Sequence, residues 1–358
     1  MNDLKEKYKK DNIAWDECAE IYEKQIVCGH PDINAFENFE EDFLDRLLLY
    51  LIEKQDRPVK ILDLGCGSGR LHIRYGAKTV DNDKAQGFPR LRDIKKTHPE
   101  LAYDPLLKKG LAEVWGIDFS LKMIELAEAK IREAQLDKVN AVPLTLKQGS
   151  AFELEEERDE VLPVAVNLVN SICVMQGPKG AVELFKSMRK AVEKAGGIAI
   201  ISNYQREYIE HYGLGQYEST LDVSGHPRWM VPDIYASPDY LFVPKHYIRS
   251  YTRDPELHVD VYDKKGVLVK KDHVLKREPE RTKHVINTGH IRTSTDYESN
   301  WYSFKEMDDW INAYWKGAGE TYHFQTSELD IIRAEPAQMS VLDSGSHLKH
   351  LFSRWKLI

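Results

Sequence analysis

Apolar positions first recur at helical spacing over residues 13–27, through Ala14, Cys18, Ile21 and Tyr22, and again over 36–54, through Phe39, Phe43, Leu47, Leu48 and Leu51. Pro58 ends the second helix, and the pattern changes to short apolar runs suited to buried parallel strands. These runs are Val59–Leu64, Ala112–Ile117, Leu144–Lys147, Val164–Val169 and Ile198–Ser202. Helical segments alternate with them: Leu121–Ala134 follows Ser120, whose hydroxyl suits a cap, and Gly180–Lys194 stops at Gly196-Gly197. Five alternating units predict right-handed crossovers and a doubly wound, mainly parallel α/β sheet.

After residue 203 the period changes. Residues 204–251 are rich in aromatics among polar residues and prolines, and three alternating stretches follow, His258–Tyr262, Val267–Leu275 and His284–Thr293, with Asp263–Gly266 as a turn. An antiparallel β lobe inserted after the fifth strand is expected. Tyr302–Ile311 returns to a helix with Ser303 and Glu306 spaced as a capping box, and two last strands, near 321–325 and 351–357, would close the sheet as a hairpin. The expected organisation is a helical cap over 1–55, a core over 56–203, the lobe over 204–300 and closing elements over 301–358.

At 358 residues the chain suits one large core with an inserted lobe. A net charge of −8 argues against a surface that gathers nucleic acid through phosphates. The charged N-terminus and the lack of a long apolar run predict a cytoplasmic protein without a membrane span. Cys18, Cys28, Cys66 and Cys173 are scattered without C-x-x-C spacing, and the 13 histidines form no convincing helical metal pair. No metal is predicted.

The chemistry concentrates in Ile61-Leu-Asp-Leu-Gly-Cys-Gly-Ser-Gly-Arg70 and Val114-Trp-Gly-Ile-Asp-Phe119. Gly65, Gly67 and Gly69 let the backbone turn sharply beside a ligand. A dinucleotide site needs G-x-G-x-x-G, whereas here the third glycine comes one residue early and Arg70 stands in its place. Asp63 before the turn would repel a phosphate and suit an ammonium, while Asp118 at the next strand end would suit ribose hydroxyls. An amino acid joined to a nucleoside describes S-adenosylmethionine.

These residues resemble the first motif of the class I S-adenosylmethionine-dependent methyltransferases, an acid followed by G-x-G-x-G, and the resemblance spans about residues 40 to 203. It implies a Rossmann-like, mainly parallel seven-stranded sheet and a cofactor site in which Asp63 orients the methionine ammonium beside Gly65, Cys66, Gly67 and Gly69. Asp118 would hold the ribose, with Phe119 beside the adenine; Ser150, Ala151 and Phe152 would surround the base edge, and Met123 would also belong to the cofactor site. Ser150 stands where the family usually has an acid. Asn170 and Ser171, where the fourth strand ends, would line the crevice. A second departure is the spacing, since Asp118 follows Asp63 by 55 positions where about 20 are usual. The excess, roughly 73–110, is rich in charge and proline and reads as a solvated excursion that could serve as a lid.

Methyl transfer needs mostly alignment of donor and acceptor, so few catalytic groups are obligatory. Tyr204, His211, His226 and His290 are candidates for a general base. The lobe aromatics could encage an alkylated amine or simply form the lobe core. The expected activity is methylation of a small molecule at nitrogen or oxygen, with S-adenosylhomocysteine as product. Two rivals are an RNA cap-type guanine methyltransferase and a non-catalytic protein that binds S-adenosylmethionine or partners.

Overall fold

In the computed structural model the described residues are 12–17, 19–20, 23, 31–157, 160–206, 229–230, 239–249, 256–277, 297–325 and 337–354. Helical residues 12–17 and 19–20 come first, and α1 (Pro31–Lys54) presents Phe39, Phe43, Leu47, Leu48 and Leu51 to the core. The rest of the first expected helix, except residue 23, lies outside the described residues.

The core elements follow as β1 (Val59–Leu64), α2 (Arg70–Lys78), α3 (Pro89–Thr97), α4 (Pro105–Gly110), β2 (Leu111–Asp118), α5 (Leu121–Glu133), β3 (Leu144–Gln148), β4 (Leu162–Asn167), α6 (Gly177–Glu193) and β5 (Ile198–Tyr204). The lobe contains β6 (Trp229–Met230), β7 (Tyr240–Arg249), β8 (Glu256–Asp263), β9 (Leu268–Arg277) and β10 (Tyr297–Asn300). The chain returns through α7 (Phe304–Trp310), β11 (Glu320–Gln325), β12 (Ala337–Asp343) and α8 (Lys349–Arg354).

Seven strands form one sheet in the order β11-β12-β5-β4-β1-β2-β3. The β5, β4, β1, β2 and β3 neighbours are parallel, while β12 runs antiparallel to both β5 and β11. The order reverses between β1 and β4, where Asp63 is in register with Val166, so the carboxyl ends of these strands open a crevice. Two apolar layers sandwich the sheet. On one face α1 packs Leu47, Leu48 and Leu51 near Ile61 and Val164. On the other, α6 contributes Phe185 and Met188, and Trp315 seals them, its Nε1–H donating to Phe185 O at 3.0 Å.

The C-terminal expectation needs correction. The last strand is Ala337–Asp343, and 351–357 is not a strand where described: α8 occupies Lys349–Arg354. Leu348, Leu351 and Phe352 are buried at helical spacing, whereas Ala337–Asp343 is buried throughout, as a strand between two others must be. The excess at 73–110 is also more structured than a solvated excursion. It contributes part of α2, then α3 and α4, and Leu91 and Leu101 join Ile131, Ala134 and Leu136 in a satellite core.

The lobe strands form an antiparallel sheet in the order β10-β7-β8-β9-β6. Two expected alternating stretches fall in β8 and β9, joined by a turn in which Asp263 Oδ1 accepts the N–H groups of Lys265 and Val267, both at 2.9 Å. The third, His284–Thr293, lies outside the described residues. The pattern did not reveal β7, whose register shifts between Pro244 and His246, where proline lacks a ladder donor.

Candidate functional site at the switch of the sheet

Six of the expected site residues meet where β1 and β2 end. Gly65 N–H and Cys66 N–H both donate to Ile117 O, at 2.8 and 3.1 Å, pinning the glycine turn to β2. Gly65, Gly67 and Gly69 have φ of 79°, 51° and 80°, the left-handed region that a side chain resists. A Cβ on Gly67 would meet nothing within 4 Å, so the turn faces open space there; on Gly69 it would stand 2.8 Å from the Ala127 Cβ of α5. The first two glycines therefore shape the crevice, and the third lets two helices approach.

Asp118 is fixed by its neighbours. Its Oδ2 accepts Gly67 N–H and its Oδ1 accepts Ser120 N–H, each at 2.9 Å. Burial raises its pKa to about 6 despite these two bonds. Ser120 caps α5 as the sequence predicts, its Oγ accepting Met123 N–H at 3.1 Å, so the buried Met123 follows directly. Phe119 is half-buried, and its carbonyl accepts Gln148 Nε2–H at 3.2 Å.

Asp63 is different. It is 5% exposed, and among the described residues no donor hydrogen-bonds to its carboxylate. Burial pushes its pKa up to about 7, helped by the charges of Asp118 and Glu40 and opposed by Arg70. At the end of β4, on the opposite face of the sheet, the buried Asn167 donates from Nδ2 to Leu64 O at 2.6 Å, while Asn167 Oδ1 has no partner among the described residues. Asn167 is not among the residues that the sequence singles out, although an amide inside the apolar run Val164-Ala-Val-Asn-Leu-Val169 is the kind of signal that marks it.

Most of the remaining expected residues follow the ends of β3 and β4. Ser171 Cβ would be 3.5 Å from a Gly65 Cβ, and Ser171 Oγ–H donates to Leu168 O at 2.7 Å. Asn170 has φ 62° and accepts Tyr204 N–H on Oδ1 at 3.1 Å, so the fourth strand ends at Asn167 and the chain turns before reaching Asn170. Gly149 N–H donates to Asp118 O at 2.9 Å, bringing the segment after β3 beside the second acid. Ser150 Oγ accepts Phe152 N–H at 3.2 Å, and Ala151 and Phe152 pack on the second apolar layer. Burial drives the Cys66 thiol well above its usual range, so it is a neutral wall of the turn. His211, His226 and His290 lie outside the described residues.

Asp16 and Glu23, before α1, reach the same region. Ser120 Oγ–H donates to Asp16 Oδ1 at 2.6 Å, Lys122 N–H donates to the same oxygen, and Glu23 pairs with Lys130 and accepts Ser68 Oγ–H. Among the described residues no cluster of His, Cys, Asp and Glu could hold a metal, and no helix is long and apolar enough to cross a membrane.

No protein-family model and no curated protein matches the chain. Among solved structures it is similar to an S-adenosylmethionine-dependent methyltransferase from Clostridium acetobutylicum, at 13% identity and TM-score 0.41 over 93% of this chain and 99% of that one. The CcbJ methyltransferase from Streptomyces caelestis has 13% identity and TM-score 0.42 over 92% and 97%. An amino pentose methyltransferase from Micromonospora echinaspora has 13% and 0.37 over 86% and 91%. By its own strand order, its antiparallel closing hairpin and its acid-led glycine turn, the chain has the fold of the class I S-adenosylmethionine-dependent methyltransferases.

Proposed function

We propose that the chain transfers a methyl group from S-adenosylmethionine to a small-molecule acceptor at nitrogen or oxygen. The observation that carries this reading is the buried Asp63 carboxylate, which lacks a hydrogen-bond donor among the described residues. Burying a carboxylate without donors is costly, so Asp63 suits a ligand group that only donates, as an ammonium does. The open space at Gly67 and the fixed Asp118 carboxylate extend the fit towards a hydroxyl-bearing nucleoside. A carboxylate has about four lone-pair sites, so Asp118 can accept further bonds beyond the two that anchor it.

When bound, S-adenosylmethionine supplies an activated methyl group on a sulfonium, and the chain's task is alignment. Asp63 would fix the methionine end, and Asp118 the ribose. Ser150, Ala151 and Phe152 would border the base, with Asn170 and Ser171 forming the wall across from Gly65. The lobe over 204–300 would cover the acceptor, and Tyr204, at the end of β5, is the described residue best placed to meet it.

The test measures S-adenosylhomocysteine binding by calorimetry and methyl release over a library of amines, phenols and RNA cap analogues. Binding with turnover on a small amine or phenol is expected. Turnover on cap analogues alone would replace the acceptor class, and tight binding without any turnover would replace the enzyme reading. Asp118→Ala should weaken S-adenosylhomocysteine by at least about tenfold, roughly 1.4 kcal/mol; an unchanged affinity refutes the ribose assignment.

A further inference from the structure

Glu40 of α1 is a charged residue within an apolar stripe, aligned with Phe43, Leu44 and Leu47, and it is only 1% exposed. Its Oε1 accepts Val169 N–H at 2.8 Å and also the hydroxyl proton of Ser202. Its Oε2 accepts Arg70 Nη2–H at 3.0 Å. One carboxylate thus joins four parts of the chain: α1, the segment after β4, the body of β5, and the first residue of the glycine-loop helix α2. Arg70 is held from a second side by Glu41, at 3.3 Å.

Val169 is the unusual partner. It and Asn170 are consecutive non-glycine residues with φ of 51° and 62°, and a β-branched side chain strongly resists this left-handed region. Such an elbow persists only where its surroundings over-determine it, and such strain clusters at functional sites. Three side-chain hydrogen bonds help hold this one. Glu40 takes the Val169 N–H, Asn170 Oδ1 takes the Tyr204 N–H, and Ser171 Oγ–H reaches back to Leu168 O. The elbow sets where Ser171 stands against Gly65.

We propose that Glu40 is a positioning residue that locks the strained Val169–Asn170 elbow and β5 to Arg70, so that the two walls of the crevice, the elbow and the glycine turn, are held as one unit. This rests on the cofactor reading of the same crevice. Burial raises the Glu40 pKa while Arg70, Ser202 and Val169 oppose the rise, as befits a carboxylate whose bonds all serve to anchor neighbours.

The test combines ligand-free amide hydrogen exchange of the 165–175 segment with S-adenosylhomocysteine calorimetry on the full chain. Glu40→Ala should speed exchange of that segment about tenfold and weaken S-adenosylhomocysteine at least about fivefold. Glu40→Gln keeps an oxygen for Val169 N–H and should restore most of the exchange protection while leaving Arg70 less firmly held. It also serves as the readable variant if Glu40→Ala does not fold. Glycine tolerates positive φ, so in a Val169→Gly background the affinity lost on Glu40→Ala should shrink to about a third or less. Unchanged exchange in Glu40→Ala, or an equal affinity loss in both backgrounds, overturns the proposal. Failure of the native chain to bind S-adenosylhomocysteine overturns the proposed function instead, because the exchange readout needs no ligand.

Discussion

Asp45 on α1 is a half-buried carboxylate and Asp63 at the end of β1 a buried one, and the chain treats them in opposite ways. Asp45 accepts from Arg74 Nε at 3.2 Å, Arg74 Nη2 at 2.8 Å and Tyr75 OH at 3.0 Å, and it pairs with Lys78. Burial pushes its pKa up, but the Arg74 bonds and the charges of Arg74 and Lys78 outweigh that and hold it below the ordinary value. Asp63 has no hydrogen-bond donor among the described residues, and the nearby guanidinium of Arg70 is already engaged by Glu40 and Glu41. Burial therefore prevails, and Asp63 rises to about 7. A carboxylate supplied with all its partners belongs to the scaffold. One left short of them is half of an interaction whose other half arrives from outside.

The contrast breaks most readily at Asp45. Asp45→Ala leaves Arg74 and Lys78 facing an empty place while still charged, and removing one partner of a buried pair costs about 3–5 kcal/mol. Urea unfolding should show a loss of that order, with S-adenosylhomocysteine affinity within about twofold of native for the molecules that remain folded. A loss below about 1 kcal/mol would mean that the Arg74–Asp45–Lys78 cluster is solvated decoration and the contrast with Asp63 is false.

Asp63→Asn should move stability the other way. The folded pKa of Asp63 lies above its ordinary value of 3.8, so the native chain is free of this burden below pH 3.8 and carries it fully above about 7. The ligand-free native protein should lose stability as pH rises across that window, and Asp63→Asn should lessen the decline, giving a thermal midpoint higher than native at pH 8 by about 2 °C or more. The same substitution should weaken S-adenosylhomocysteine at least about tenfold at pH 8, roughly 1.4 kcal/mol. In the native chain, affinity should climb from pH 5.5 to pH 8 as Asp63 gives up its proton; in Asp63→Asn this climb should be much reduced. Equal pH profiles in the two proteins would remove Asp63 from the ammonium site.

What can be read from the sequence divides along the same line. The glycine turn and each strand-end acid sit in short, recognisable stretches of sequence, so the places of Asp63, Gly65, Gly67 and Asp118 at the ends of β1 and β2 are legible in the sequence alone, although the two acids are 55 positions apart. The strands β1, β4 and β5 are equally plain, because burial on both faces writes a continuous apolar run. Glu40 stays hidden because its partners are 30, 129 and 162 positions away. A single acid in an apolar helical stripe is the available hint. The closing strand is misplaced by sequence because Leu351 and Phe352 look strand-like in isolation, and only the burial of Ala337–Asp343 between β5 and β11 separates the two. The Pro244 bulge likewise conceals β7.

Asp118 offers the finest test because it stands between the other two acids. It is as buried as Asp63, but the backbone N–H groups of Ser120, Gly67 and Phe119 oppose the effect of burial, and its pKa rises only to about 6. Asp118→Asn removes the burden of burying a charge but keeps one acceptor oxygen for two N–H groups, leaving either Gly67 or Ser120 facing an amide NH2. These effects oppose each other, and a net loss of about 1 kcal/mol is expected at pH 8 in thermal or urea unfolding. A loss of about 3 kcal/mol or more would place Asp118 with Asp45 as a scaffold group, and a gain would place it with Asp63. The small loss would mark it as an acid that shapes the glycine turn while keeping lone pairs free for a ligand, the dual position from which a carboxylate at the end of β2 can couple cofactor contact to loop geometry.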